Sequence, residues 1–405
     1  MIRELLREAL DFKSRLDEID FEGTYGDVSA QCLNPKKVAE WLTDELKRLN
    51  HNKKSKESDR IKRKKPKVGS TNLEDVIVTR GSIEGVIDKT GSVNIDNFIK
   101  NITTEPKTIF DHNPKMEKSD IGRPQKTVNT GLPAIVGIVY DIENEKFYAV
   151  NSCPGAGACQ VGCYARKGFY GMDDSKTMKL TRRLNLMLNN PERYKQRVVQ
   201  ELSKFAEKTK NDSIGRSVKN QLVIRWNDAG DFFGQKYFDI AKEATKELLD
   251  MGYNVKSYAY TKRGKYVLEL NDDNNFVVNF SSDAHPKEKE IVAKNLGDKA
   301  KTATKVEKDV WDNENIFRKK GSHYVKSNDG LPMFKTEDAG ERLKDIIFNK
   351  YGKKDNITRD SLVFTYELPQ QQGERNQYNL IVLPTGDSDI GAQRKDVKMS
   401  YLLAH

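Results

Sequence analysis

Residues 221–260 read QLVIRWNDAGDFFGQKYFDIAKEATKELLDMGYNVKSYAY. A short apolar run at 222–226 leads through a polar loop into an amphipathic helix at 235–251, and the chain returns as a second apolar run at 255–260. Strand, helix and strand in that order are the repeating unit of a parallel sheet. The same texture extends outward in both directions. Further strands are expected at 134–140, 146–151, 276–280, 362–366 and 380–383, and helices at 177–188, 191–208 and 337–351. The alternation runs from 131 to 405, about the size of a β/α barrel. The fold class expected is therefore α/β, a complete or partial β/α barrel with an N-terminal helical, partly disordered extension.

Three regions follow. Residues 1–50 carry two apolar helical faces, one of Ile2, Leu5, Leu6, Ala9, Leu10, Phe12 and Leu16, the other of Val38, Trp41, Leu42, Leu46 and Leu49. Asn34 followed by Pro35 is a helix start. Two such helices make a poor core alone and are expected to dock on the main body or a partner. Residues 51–130 form a basic linker and irregular region, and residues 131–405 form the barrel-like domain.

In barrels, chemistry sits on the loops after the strands. Here those loops carry Asn227, Asp228 and Asp231 after 222–226, Thr261 and Lys262 after 255–260, and Ser281, Ser282, Asp283 and His285 after 276–280. The last strand is followed by Thr385, Asp387, Asp389, Arg394 and Asp396. Asp, Ser and Asn in such places commonly cap helices, which explains any one of them. The set, converging on one face, points to a site.

The loop after 146–151 is the most unusual. Its run SCPGAGACQVGCYARKG places Cys153, Cys159 and Cys163 within eleven residues, three of the chain's four cysteines. Few cysteines gathered in one place argue for a metal or redox role in a reducing compartment over a disulfide framework. Structural zinc takes four Cys or His ligands, usually in two close pairs, and the C-x5-C-x3-C spacing supplies three. The fourth would have to be Cys32 or one of five histidines. Three thiolates can also hold a [4Fe-4S] cluster with one iron left open for a ligand. Thiols without metal are the third reading.

The runs CPGAGACQVGCYARKGFYG, RWNDAGDFF, SYAYTKR and GDSDIGAQRKDVKMSYLLAH together resemble the gene product 88 family of phage proteins, over roughly residues 131–405. Through that family the chain is distantly similar to the radical S-adenosylmethionine (SAM) enzymes. That likeness implies a [4Fe-4S] cluster on Cys153, Cys159 and Cys163 in the loop after the first barrel strand, with SAM on the open iron. It implies SAM cleavage to a radical that takes hydrogen from a substrate, and a small reductant protein as electron donor. The spacing differs from the usual C-x3-C-x2-C, and no Gly-Gly-Glu follows the next strand. Asp228 and Asp231 would take its place, with Asn227 and Ser282 also binding cofactor. Lys262, Asp283 and His285 would act on the substrate.

A net charge of +10 suggests a polyanionic partner. Much of the excess lies in residues 53–67, where Lys53, Lys54, Lys56, Arg60, Lys62, Arg63, Lys64, Lys65 and Lys67 face Glu57 and Asp59. So polar a stretch reads as a linker, or as a tether to nucleic acid. No run approaches the roughly 20 apolar residues of a membrane span, and the first twenty residues hold no signal-peptide core. A cytoplasmic protein is expected, in the host cytoplasm if phage-encoded, with no membrane partner. Two other classes fit less of the sequence. One is a virion-associated or nucleic-acid-binding protein whose metal only staples a loop; the other is a metal-dependent hydrolase using Asp228, Asp231, Asp283 and His285, which leaves the cysteines unexplained.

Overall fold

The computed structural model describes residues 30–54, 71–79, 86–87, 93–112, 116–117, 120, 124–160, 163–166, 174–212, 220–271, 273–306, 324–326, 332–334, 380–382, 390–393, 395 and 397–403. Its elements begin with strand β1 (Ala30–Leu33), helices α1 (Pro35–Lys54) and α2 (Ile95–Thr103), and strand β2 (Gln125–Asn129). Strands β3 (Val136–Asp141) and β4 (Lys146–Asn151) precede helices α3 (Asp174–Asn189) and α4 (Pro191–Asn211). Next come β5 (Gln221–Trp226), α5 (Gln235–Asp250), β6 (Val255–Thr261), α6 (Gly264–Leu270), β7 (Phe276–Ser281), α7 (Pro286–Asn295) and β8 (Thr302–Val306). The antiparallel pair β9 (Tyr324–Lys326) and β10 (Pro332–Phe334) is followed by β11 (Leu380–Val382), α8 (Ile390–Gln393) and β12 (Val397–Leu403).

The chain divides into two units. The first takes Met1–Asp111, Thr130–Lys204 and Asn227–Met251, and the second His112–Asn129, Phe205–Trp226 and Gly252–His405.

The first unit is built on an antiparallel sheet of order β1-β4-β3. Only residues 142–145 separate β3 from β4, too few for the crossover that parallel strands need. The turn is fixed by Asp141, whose Oδ1 accepts from the backbone N–H groups of Glu143 and Asn144 at 3.0 Å each. Glu145 lies at φ 50°. The strand that leads into the cysteine loop is thus half of a hairpin rather than a member of the parallel set, which corrects the sequence expectation. Helix α3 covers the free edge of β3 with two asparagines one turn apart. Asn185 accepts from Tyr140 N at 3.0 Å and donates to Ile138 O at 2.9 Å; Asn189 accepts from Ile142 N at 3.2 Å and donates to Tyr140 O at 3.0 Å. These bonds occupy backbone groups that an edge strand otherwise leaves to a neighbouring chain. The core gathers Val38, Leu42 and Leu46 of α1, Phe98 and Ile102 of α2, and Val136, Ile138, Phe147 and Ala149 of the hairpin. The second predicted helical face is therefore docked as expected.

The second unit holds a parallel sheet of order β11-β12-β8-β7-β6-β5-β2. Strands β5 and β7 are buried at five of their six positions each, the pattern of parallel strands covered on both faces. The short helix α8 is tied to this sheet: Asn279 Nδ2 donates to Ala392 O, and Gln125 Nε2 to Gln393 Oε1, both at 3.1 Å. The α/β class is as the sequence leads one to expect, and the predicted strands at 222–226, 255–260, 276–280 and 380–383 are found within a residue or so. Strands β2 and β8 are additions, and the apolar run at Val397 to Leu403 is a strand of the sheet.

Several expectations fall outside the described residues. They are the helical face at 2–16, the basic segment from 55 to 67, the strand at 362–366, the helix at 337–351, and Thr385, Asp387, Asp389, Arg394, Asp396 and His405. Lys53 and Lys54 form the end of α1.

Candidate functional site

In the first unit three loops are laced together by their backbones. Asp228 N donates to Thr130 O at 2.8 Å, Leu132 N to Ala229 O at 2.9 Å, Ser152 N to Ile135 O at 2.9 Å, and Asp231 N to Ser152 O at 2.9 Å. Ser152 Oγ adds a bond to Pro133 O. This approach is possible because residue 131 is glycine: a Cβ there would sit 2.8 Å from Ala229 N and 2.9 Å from its carbonyl oxygen. The acidic loop after β5 is thereby fastened one residue before Cys153.

The cysteine loop is folded by short-range bonds: Asn151 Oδ1 accepts from Cys153 N at 2.8 Å, Ala156 N donates to Cys153 O at 3.0 Å, and Arg166 N to Cys163 O at 3.2 Å. Cys153 and Cys163 are buried and Cys159 is half-buried. None of the four cysteines is in a disulfide. Cys32 lies exposed on β1, opposite Tyr148.

Two residues of this loop are missed by the sequence reading. Arg166 is buried, bonds to the Asp75 carbonyl through Nη1 and pairs with its carboxylate at 3.6 Å. Burial lowers the pKa of its guanidinium, while Asp75 and Cys163 oppose that shift. Gln160 is 1% exposed, and neither its Nε2 nor its Oε1 has a hydrogen-bond partner. Both stand in the run CQVGCYAR, where neither residue type is unusual and only burial marks them out.

The acidic loop carries Asn227 at φ 60°, buried, with both amide atoms unpartnered. Asp228 is buried, and Asp231 is fully so, its Oδ1 accepting from Phe232 N at 2.7 Å. The loop is backed by Phe232, Tyr237, Phe238 and Tyr194, all fully buried. Burial pushes the Tyr194 phenol up to about 12 and Tyr237 well above its usual value, so both stay neutral. Capping accounts for none of the three loop residues: the N-cap of α5 is Gly234.

The other predicted residues lie in the second unit. Lys262 is half-buried after β6, and the following Arg263 and Gly264 are joined to the first turn of α7 by Glu288, which meets Arg263 Nε at 3.0 Å and accepts from Gly264 N at 2.6 Å. Ser282 is buried, its N–H donating to Ala303 O at 2.8 Å and its Oγ unpartnered. Asp283 is half-buried. His285 serves the backbone as the N-cap of α7, its Nδ1 accepting from Lys287 N at 3.3 Å. Asn227, Asp228 and Asp231 thus belong to the first unit, and Lys262, Ser282, Asp283 and His285 to the second.

Burial, with Lys287 close by, lowers the His285 pKa below its ordinary 6.5. A depressed imidazole contributes stability that is present above 6.5 and lost as pH falls through the folded value, because the protonated ring cannot accept the capping bond. The protection factor of the Lys287 amide, its exchange rate corrected for the intrinsic rate at each pH, should therefore fall on going from pH 7 to pH 5. His285→Asn, which caps without titrating, should flatten that dependence; an equal fall in both proteins would assign it elsewhere.

Among the described residues no three His, Cys, Asp or Glu side chains are gathered as the ligands of a metal ion. What the loop does bring together is three cysteines outside any disulfide, two of them buried, and a buried amide without a partner. Among the described residues no helix is long and apolar enough to cross a membrane.

Fold and loop together define an α/β protein with its thiol-rich loop on an antiparallel hairpin and a separate parallel-sheet unit. The chain belongs to the gene product 88 family, whose model matches residues 107–349. The match takes in 107–130, which the sequence reading assigns to the irregular region, and stops before GDSDIGAQRKDVKMSYLLAH. No curated protein and no solved structure matches. The comparisons give no support to kinship with the radical SAM enzymes.

Proposed function

We propose that the chain is an iron-sulfur protein in which Cys153, Cys159 and Cys163 hold a [4Fe-4S] cluster, and that it acts as a radical SAM-like enzyme with SAM bound by the acidic loop. The observation that carries this reading is the thiol triplet itself, on a loop of small residues, outside any disulfide and with two of its three members buried. When bound, such a cluster supplies one-electron chemistry and, at an iron no cysteine holds, a seat for a small ligand.

The residues divide the remaining work. Gly155, Ala156 and Gly157 let the backbone close tightly around the bound group. Arg166 offsets the negative charge of the thiolates, which favours their ionised form. Asp228 and Asp231 offer carboxylates to an ammonium, and the unpartnered amide of Asn227 offers a donor to a carboxylate. In the second unit, β2, β5, β6, β7 and β8 stand side by side in chain order, the winding of a barrel wall, and a partial β/α barrel is part of the proposal. There Lys262, Asp283 and His285 are the candidates for proton transfer, with Ser282 as a hydrogen-bonding group. A reductant protein is the partner this reading requires.

The test is anaerobic purification with iron and sulfide assay. The full chain should be brown, with about four irons, the count of one cubic cluster. Cys153→Ala, Cys159→Ala and Cys163→Ala should each lose most of that iron, and Cys32→Ala should keep it. A colourless protein holding zinc, or iron lost only in the Cys32 variant, would overturn the cluster assignment. Equilibrium dialysis with SAM, compared between the full chain and Asp228→Asn, tests the ligand: no binding to the iron-loaded protein removes SAM and leaves the cluster.

A further inference from the structure

We infer that the side-chain amide of Asn227 binds a neutral ligand edge that sets an N–H beside an acceptor, the pattern of a nucleobase or a carboxamide. The inference rests on the reading of the acidic loop as a ligand site, is independent of the cluster, and gives Asn227 a neutral partner in place of the carboxylate named above. Asn227 is 5% exposed, yet neither its Nδ2 nor its Oδ1 has a hydrogen-bond partner. Its backbone stands at φ 60°, where glycine fits without strain and asparagine is tolerated because its side chain can bond the local backbone. That bond is not made here. The backbone that follows is fixed: Asp228 N donates to Thr130 O at 2.8 Å, and Ala229 O accepts from Leu132 N at 2.9 Å. A glycine would serve this turn without burying an unpaired amide, so the turn alone does not account for the residue.

The class of ligand follows from the two atoms. A carboxylate would accept from Nδ2 and set a negative group against Oδ1, and Asp228 and Asp231, buried in the same loop, oppose an anion further. An ammonium would donate to Oδ1 and leave Nδ2 unpaired. An edge carrying both types forms two parallel bonds with a carboxamide, as asparagine does with adenine. It also brings no further charge into a buried place.

The experiment is equilibrium dialysis of the full chain, as wild type, Asn227→Gly and Asn227→Asp, with urea midpoints measured in the absence of ligand. The probes are adenosine and nicotinamide, each beside an analogue that lacks the N–H: N6,N6-dimethyladenosine for the first, nicotinate for the second. Wild type should bind adenosine or nicotinamide and discriminate against its analogue; adenosine alone identifies a nucleobase, nicotinamide alone a carboxamide. Both variants should bind about tenfold or more weakly, the loss of two hydrogen bonds. Asn227→Gly should be at least as stable as wild type, because the strain and the unpaired amide are both removed. Should it fail to fold, Asn227→Asp, of the same shape but without the Nδ2 donor, decides the question by the same affinities. Binding of neither probe would leave the amide to internal water and overturn the inference, as would equal binding of a probe and its analogue or affinities unchanged in Asn227→Asp. SAM retained by a chain that binds neither probe would overturn the inference and leave the SAM reading standing.

Discussion

Replacing Arg183 by alanine is expected to cost about 3 kcal/mol or more of stability, the range for breaking a buried ion pair by removing one partner. Arg183 is 1% exposed; it donates to Asp111 Oδ2 at 2.7 Å and to Thr108 O at 3.2 and 3.3 Å. Alanine would leave a void where the guanidinium was, the Thr108 carbonyl without its donors, and Asp111 with Lys179 at 2.6 Å. That surviving pair, and the 27% exposure of the Asp111 side chain, place the loss at the lower end of the range. Arg183→Met, which keeps the stem, should cost less, and adding Asp111→Asn should recover part of it. Burial raises the Asp111 pKa, but Arg183 and Lys179 outweigh it and hold the carboxyl below its ordinary value of 3.8. A depressed carboxyl contributes stability present above that value and lost as pH falls through the folded one. The acid limb of a stability profile should accordingly be shallower in the double variant. Urea midpoints from pH 2 to pH 7 measure both effects, and an Arg183→Ala midpoint equal to wild type would contradict the account.

The second large effect is expected at Gly131. Its alanine variant would bring a methyl group against the backbone of Ala229, and a backbone cannot step aside as a side chain can. The strand end and the acidic loop must part, which threatens the bonds from Asp228 N to Thr130 O and from Leu132 N to Ala229 O. Overpacking of this kind costs about 1–3 kcal/mol, and we expect the upper end. At Gly137 the nearest atom to an added methyl is the Leu184 Cδ2 end, which can turn away, so Gly137→Ala should cost less. A urea series that reverses this order would show that the two loops do not depend on close approach.

What the sequence reveals and conceals follows from where the constraint lies. Strands β5, β6 and β7 are legible because strands covered on both faces must be apolar almost throughout, and α5 because its apolar residues repeat at helical spacing. Strand β2, of sequence QKTVN, and β8, TATKV, are not, since their polar residues carry no periodic signal and only the neighbouring strand specifies them. The hairpin is readable in position, but apolar runs alone do not give its pairing. The short connection DIENEK, with Asp141 positioned to bond its own turn, is the signal for an antiparallel return. At the candidate site the acidic loop and the thiols are visible by type. Gln160 and Arg166 are not, because neither residue is unusual until its burial is known.

Strand β12 lies between β8 and β11 in the parallel sheet, pairing with β8 from Met399↔Thr302 to Leu403↔Val306. On the ribosome, β8 emerges long before its partner. At roughly 5–20 residues per second, the stretch from Val306 to Val397 takes about 5–20 s to synthesise, and for that interval one side of β8 offers its backbone groups to any extended chain nearby. Nascent chains arrested before residue 397 should therefore be captured by chaperones or aggregate, whereas a stop placed after 403 should release a chain whose sheet closes at once.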